Sequence, residues 1–155
     1  FEISKDAIAR RWQQLVWTDE AQQRINRTSL DTAAGNDTAL TWSPLYTTVQ
    51  GNIEISELPI FKPRSNSDNA SFIRTQLDVS EDGGRCALLF DDEKGILLWV
   101  DGTPTPVSGN RCELQLKQGQ HTITVGIQRP TRQKQLMLKL EVRSGEPHAQ
   151  WTVSE

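Results

Sequence analysis

Ile73-Arg74-Thr75-Gln76-Leu77-Asp78-Val79 alternates residue by residue: Ile73, Thr75, Leu77 and Val79 point one way, and Arg74, Gln76 and Asp78 the other. A period of two is the mark of a strand with one face on a core and one on water. The pattern returns at His121, Ile123, Val125 and Ile127, and again at Leu136, Leu138, Leu140 and Val142. Between them, Cys86 to Phe90 and Ile96 to Val100 predict two strands paired around the turn Asp91-Asp92-Glu93-Lys94-Gly95. Ile96-Leu97-Leu98-Trp99-Val100 is apolar on both faces, as a central strand under a second layer would be. Asp101-Gly102 then turns the chain, and Pro104 and Pro106 forbid a central strand there. Roughly eight to ten short strands with a turn signal about every ten residues predict a mainly β fold. Connections this short leave no room for crossover helices, so the strands should form an antiparallel β-sandwich.

The N-terminal part reads differently. Ile8, Trp12, Leu15 and Val16 fall at i, i+4, i+7 and i+8, one face of a helix. Ser4 is a plausible N-cap, and Thr18-Asp19-Glu20 is a second start signal. One or two short N-terminal helices are therefore predicted between Lys5 and Ile25, within a helical segment (residues 1–40) packed on a sandwich formed by residues 41–155. Trp12 should cement that helix to the sandwich. Trp17 lies off the apolar stripe and should be exposed.

The chain has 155 residues, enough for one domain with a hydrophobic core, and 35% of them are hydrophobic. A net charge of -3 with scattered basic residues argues against nucleic acid as a partner, since phosphate binding needs clustered Lys and Arg. No apolar run approaches a membrane span, so no membrane partner is expected. The sequence opens Phe1-Glu2-Ile3 without Met and is read as a piece of a longer or processed protein. Cys86 and Cys112 fit neither a zinc pair nor a C-x-x-C motif, and both alternate in register with apolar neighbours. They are two buried thiols or one disulfide.

Little catalytic chemistry is on offer. The histidines are His121, on the apolar side of its strand, and His148, near the C-terminus; no G-x-S-x-G, P-loop or G-x-G-x-x-G run occurs. An enzyme is the poorest reading, and no cofactor is expected. The acidic turn Asp91-Asp92-Glu93 and Asp101 bracket the expected central hairpin and form a candidate ligand site. Acids are also ordinary in turns. Asp91 and Asp92 are a weak calcium candidate, because calcium takes six to eight oxygen ligands. Trp99, beside Asp101, is a candidate stacking platform for a sugar, as are Trp42 and Tyr46, although Trp99 and Trp42 read first as core residues.

Two segments carry a family resemblance. Phe90-Asp91-Asp92-Glu93-Lys94-Gly95-Ile96-Leu97-Leu98-Trp99-Val100-Asp101-Gly102, followed by Leu116-Lys117-Gln118-Gly119-Gln120-His121-Thr122-Ile123-Thr124-Val125, resembles the core of protective-antigen-type and galactose-binding-like domains, which implies a jelly-roll-like sandwich. Trp42 to Gly51, Ile53 to Pro59 and Phe72 to Val79 resemble an accessory module at one end of large planctomycete-type haem-binding, sugar-dehydrogenase-like proteins. There, a propeller and a C-x-x-C-H cytochrome carry the redox chemistry, and no such run occurs here. The resemblance spans residues 41–142 and brings no assigned binding residues with it. It implies a non-catalytic module of a secreted bacterial protein, periplasmic or extracellular, whose partners are carbohydrate and the other domains of the parent. The alternative is a structural or protein-docking domain. Asp91-Asp92 matches the acidic pair of the calcium-dependent sugar-binding members in position only, and no Asn/Asp-rich partner loop follows.

Overall fold

Ten consecutive residue pairs join β4 (Ala70–Val79) to β9 (Gly119–Gln128), and the molecule is organised around that antiparallel ladder. The computed structural model describes residues 7–8, 11–27, 35, 40–48, 51–62, 69–79, 84–131, 135–136, 138–142 and 149–151. The expected N-cap Ser4 and His148 lie outside them.

A seven-stranded sheet runs β3 (Trp42–Tyr46), β2 (Arg11–Leu15), β4, β9, β6 (Ile96–Val100), β7 (Thr103–Pro104), with β11 (Ala149–Trp151) also on β4. A four-stranded sheet runs β1 (Ala7–Ile8), β10 (Leu138–Val142), β5 (Gly84–Phe90), β8 (Arg111–Leu116). All pairings are antiparallel. One core fills the space between the sheets: Ile73, Leu77, Val79, Leu98, Val100, Ile123, Val125 and Ile127 from the large sheet meet Cys86, Leu88, Phe90, Cys112 and Leu116 from the small one. This is the antiparallel β-sandwich that the period-two pattern predicts.

A second core lies on the outer face of the large sheet. Leu15, Phe72 and Trp99 project outward and are covered by Ala21 and Ile25 of α1 (Asp19–Arg27), together with Leu40 and Phe61. The helix starts where Thr18-Asp19-Glu20 says it should, with the Ala21 N–H donating to Thr18 Oγ1 at 3.0 Å. The Gln22 side chain fastens it by accepting from the Lys62 N–H at 3.0 Å and donating to the Lys62 carbonyl at 2.7 Å.

Two expectations need correction. The helical period over Ile8 to Val16 is not a helix in its described part: residues 11–15 are strand β2, paired with β3 and β4. Residues three apart in a strand face opposite ways, so Trp12 enters the inter-sheet core and Leu15 the outer one. A strand covered on both faces imitates a helical stripe. Within the first 40 residues, the described strands β1 and β2 join the small and the large sheet respectively. Nor do β5 and β6 pair with each other. β5 lies between β10 and β8, β6 between β9 and β7, and the chain crosses from one sheet to the other at residues 91–95. The reason is in β6 itself: Leu98 and Val100 pack in the inner core while Leu97 and Trp99 pack in the outer one, and the large sheet lies between the two.

Gly126 sits where Trp99 and Phe72 close over β9. An added Cβ would lie 3.0 Å from Trp99 Cζ3 and 3.3 Å from Phe72 Cε1. Both rings are buried and held by each other at 6.2 Å between centroids, so neither can yield cheaply. Gly126→Ala should destabilise the fold by about 1–3 kcal/mol, read from urea unfolding, despite alanine's lower chain entropy in the unfolded state. Cys86 and Cys112 are buried free thiols on diagonal positions of the β5–β8 ladder. Burial, then the neighbouring Cys112 and Glu113, pushes the Cys86 thiol up to about 11. Both cysteines should resist iodoacetamide in the native protein and both should alkylate in urea without reductant, as intact mass would record.

Candidate functional site

The acidic candidates do not converge. Asp91 and Asp92 stand before β6 and Asp101 after it, so the length of β6 separates them, about 16 Å at ~3.3 Å per residue. The Asp91 and Asp92 carboxylates bond within their own turn. Asp91 Oδ1 accepts from the Asp92 N–H at 2.9 Å, and Asp92 Oδ1 from the Lys94 N–H at 3.0 Å. Glu93 and Asn110 clip this turn to the start of β8: the Glu93 N–H donates to Asn110 Oδ1 at 2.9 Å, and the Asn110 N–H to Glu93 Oε1 at 2.7 Å. Among the described residues, no three His, Cys, Asp or Glu are placed to hold a metal ion. Trp99, 3% exposed, is the roof of the outer core and presents no free ring face. It cannot be the stacking platform.

Asp101 is built into a joint. With φ of 52° at Asp101 and 83° at Gly102, the β6–β7 hairpin turns as type I′. Asp101 Oδ1 accepts from the Thr122 N–H at 2.8 Å, and Oδ2 lies 2.6 Å from His121 Nδ1. His121 Nε2 lies 2.7 Å from the Lys117 carbonyl oxygen. A carboxylate and a carbonyl only accept, so the ring satisfies both contacts as imidazolium, with an N–H on each nitrogen. Burial lowers the His121 pKa, but the bonds to Asp101 and Lys117 and the charges of Asp101 and Asp78 outweigh it and hold the value above 6.5. The stabilisation is thus complete below about 6.5, the ordinary value, and is lost as pH rises through the raised one. The stability difference between wild type and His121→Gln should be largest near pH 5.5–6 and shrink on the alkaline side. A difference independent of pH would remove the imidazolium.

Past the outer core, the outer face of the large sheet carries half-buried polar side chains and the exposed Tyr46. Directly opposed residues of an antiparallel ladder share a face, and here they form parallel rows. The row Trp42, Leu15, Phe72, Gly126, Leu97 belongs to the outer core. The next row, Pro44, Gln13, Arg74, Thr124, Trp99, marks its edge. Past it come Tyr46 opposite Arg11, Gln76 opposite Thr122, and Asp78 opposite Gln120. From β3 to β6 this surface is about 19 Å wide, at ~4.8 Å per strand.

Arg74 is the centre of that edge. Its Nε donates to Gln13 Oε1 at 2.7 Å, and its guanidinium carbon lies 4.2 Å from the centroid of the half-buried Trp42 ring. Burial lowers its pKa. Beside it, Gln76 Oε1 meets the Thr122 hydroxyl at 3.4 Å, and Tyr46, 65% exposed, has the Arg11 guanidinium 6.0 Å over its ring. The amide nitrogens of Gln13 and Gln76 make no hydrogen bond to a described residue. The face therefore offers aromatic surface beside a set of uncommitted donors.

Trp42 and Tyr46 are legible in the sequence as platform candidates, and Arg74, Gln76 and Asp78 as the wet side of their strand. Gln13 is not, because the helical period of its segment hides that it stands opposite Arg74. No known protein family matches this chain, and no curated protein matches its sequence.

Proposed function

We propose that this chain is a non-catalytic accessory module that binds carbohydrate on the open outer face of its large sheet. The observation that carries the reading is the juxtaposition of Trp42 and Tyr46 with the Gln13, Arg74 and Gln76 side chains. Aromatic rings supply apolar area against the C–H face of a sugar, and amide and guanidinium donors meet its hydroxyls. The sequence resemblance to an accessory module of secreted, haem-binding, sugar-dehydrogenase-like proteins supports the same role. The parent protein's other domains would then supply any redox chemistry. Affinity for a flat, exposed face of this kind is expected near the millimolar range, since the ligand is buried on one side only.

Trp42 is half-exposed and makes a direct reporter. Titration with neutral and acidic oligosaccharides should change tryptophan fluorescence, and Trp42→Ala should abolish the change while the melting profile stays cooperative. Gln76→Ala should weaken binding about fivefold, the effect of one hydrogen bond. Asp91→Asn with Asp92→Asn should bind as wild type does, with or without calcium. A folded protein that responds to no saccharide would favour a protein-docking role instead. That reading has its own observation, the exposed Trp17 and Ile60 near the Gln22–Lys62 junction.

A further inference from the structure

The Arg74 side chain is half-buried, yet no described carboxylate pairs with it. Removing a cation from water costs free energy, which proteins normally offset with an opposite charge. Here the offset comes from the Trp42 ring and the Gln13 amide, and each leaves the same part of the group free. Trp42 takes the flat face, Gln13 takes Nε, and the two terminal nitrogens make no hydrogen bond to a described residue. Those nitrogens are one edge of a planar fork whose geometry matches a carboxylate. The nearest acid along the same face of β4 is Asp78, four residues on and about 13 Å away at ~3.3 Å per residue, and it stands opposite Gln120 rather than Arg74.

We propose that the sheet face is selective for acidic saccharides, with Arg74 reading a uronate carboxylate through its two terminal nitrogens. This rests on the carbohydrate reading above and adds the ligand's charge to it. Gln13 is the positioning residue, because its amide fixes the rotation of the guanidinium plane. Trp42 holds the plane from one side, so a carboxylate approaching along the sheet meets a preorganised pair of donors. The neighbouring donors of Gln13 and Gln76 suit ring hydroxyls. The sugar is thus bound by its hydroxyls and selected by its charge.

The test is calorimetric titration of the whole chain with oligogalacturonate, oligoalginate and hyaluronan oligosaccharides, each beside its carboxyl-reduced counterpart, with oligoglutamate as a non-sugar polyanion. At least one uronate should bind about ten- to a hundredfold more tightly than its reduced form, the effect of charge-assisted bidentate hydrogen bonds. The preference should weaken as salt is raised. Arg74→Lys keeps the charge but loses the fork, and should bring the two forms within about threefold. Gln13→Ala should reduce the preference without abolishing hydroxyl-dependent binding. If Arg74→Lys fails to fold, the comparison of acidic with reduced ligand on wild type still decides. Equal binding of both forms would overturn the charge selectivity while leaving the carbohydrate face standing. Binding of oligoglutamate as tight as that of the uronates would overturn selection for sugars. Silence across the whole panel would overturn both proposals.

Discussion

The β4–β9 ladder is the constraint on which the rest of the molecule depends, because among the described residues it is the longest pairing and it carries a core on each face. Its inner residues, Ile73, Leu77, Ile123, Val125 and Ile127, are fully buried in the space between the sheets. Its outer residues change character along the strand. Phe72 and Gly126 lie under Trp99 and the helix-covered core, Arg74 and the buried Thr124 form the edge, and Gln76, Thr122 and Asp78 are half-buried polar residues beyond it. A ten-residue strand is long enough to be covered at one end and open at the other. The candidate site exists because the helix α1, nine residues long, covers only part of it.

The outer core also explains why the polar face is ordered. The Arg74 guanidinium is held by the Trp42 ring and the Gln13 amide, and Trp42 in turn packs at the rim of the cluster of Leu15, Phe61, Phe72 and Trp99. Apolar packing on one row therefore sets the geometry of charge on the next. The same logic holds at the other end of β6, where the left-handed Asp101-Gly102 turn aims a carboxylate at His121 and at the Thr122 N–H. That aspartate joins two turns and leaves no oxygen without a protein partner. Asp91, Asp92 and Asp101 each accept from a backbone N–H at a turn, whereas Gln13, Arg74 and Gln76 lie within strands and carry nitrogens that bond no described residue.

This inverts a common order of search. Asp91, Asp92 and Asp101 draw attention in the sequence because carboxylates carry chemistry and cluster in adjacent turns. In the fold they stand at opposite ends of β6, because its five residues run between them. Trp99 draws attention because it neighbours Asp101. It points away, onto Gly126 and Phe72.

What the sequence by itself determined is whatever follows from local periodicity and turn chemistry. Alternation at Ile73 to Val79 and at His121 to Ile127 establishes strands with one dry and one wet side, and Asp101-Gly102 and Thr18-Asp19-Glu20 mark a hairpin and a helix start without help from elsewhere. The tertiary structure alone decided which strands are neighbours and which faces are covered twice. Strand β2 reads as a helix because Trp12 and Leu15 answer to two different cores, and a one-dimensional pattern has no means of separating two layers from one stripe. Gln13 meets Arg74 across sixty-one residues of chain, a distance at which no local rule acts. The candidate site was legible as residue types on the wet side of β4. It became a site only when pairing of β3, β2 and β4 set Trp42, Gln13 and Arg74 around one guanidinium.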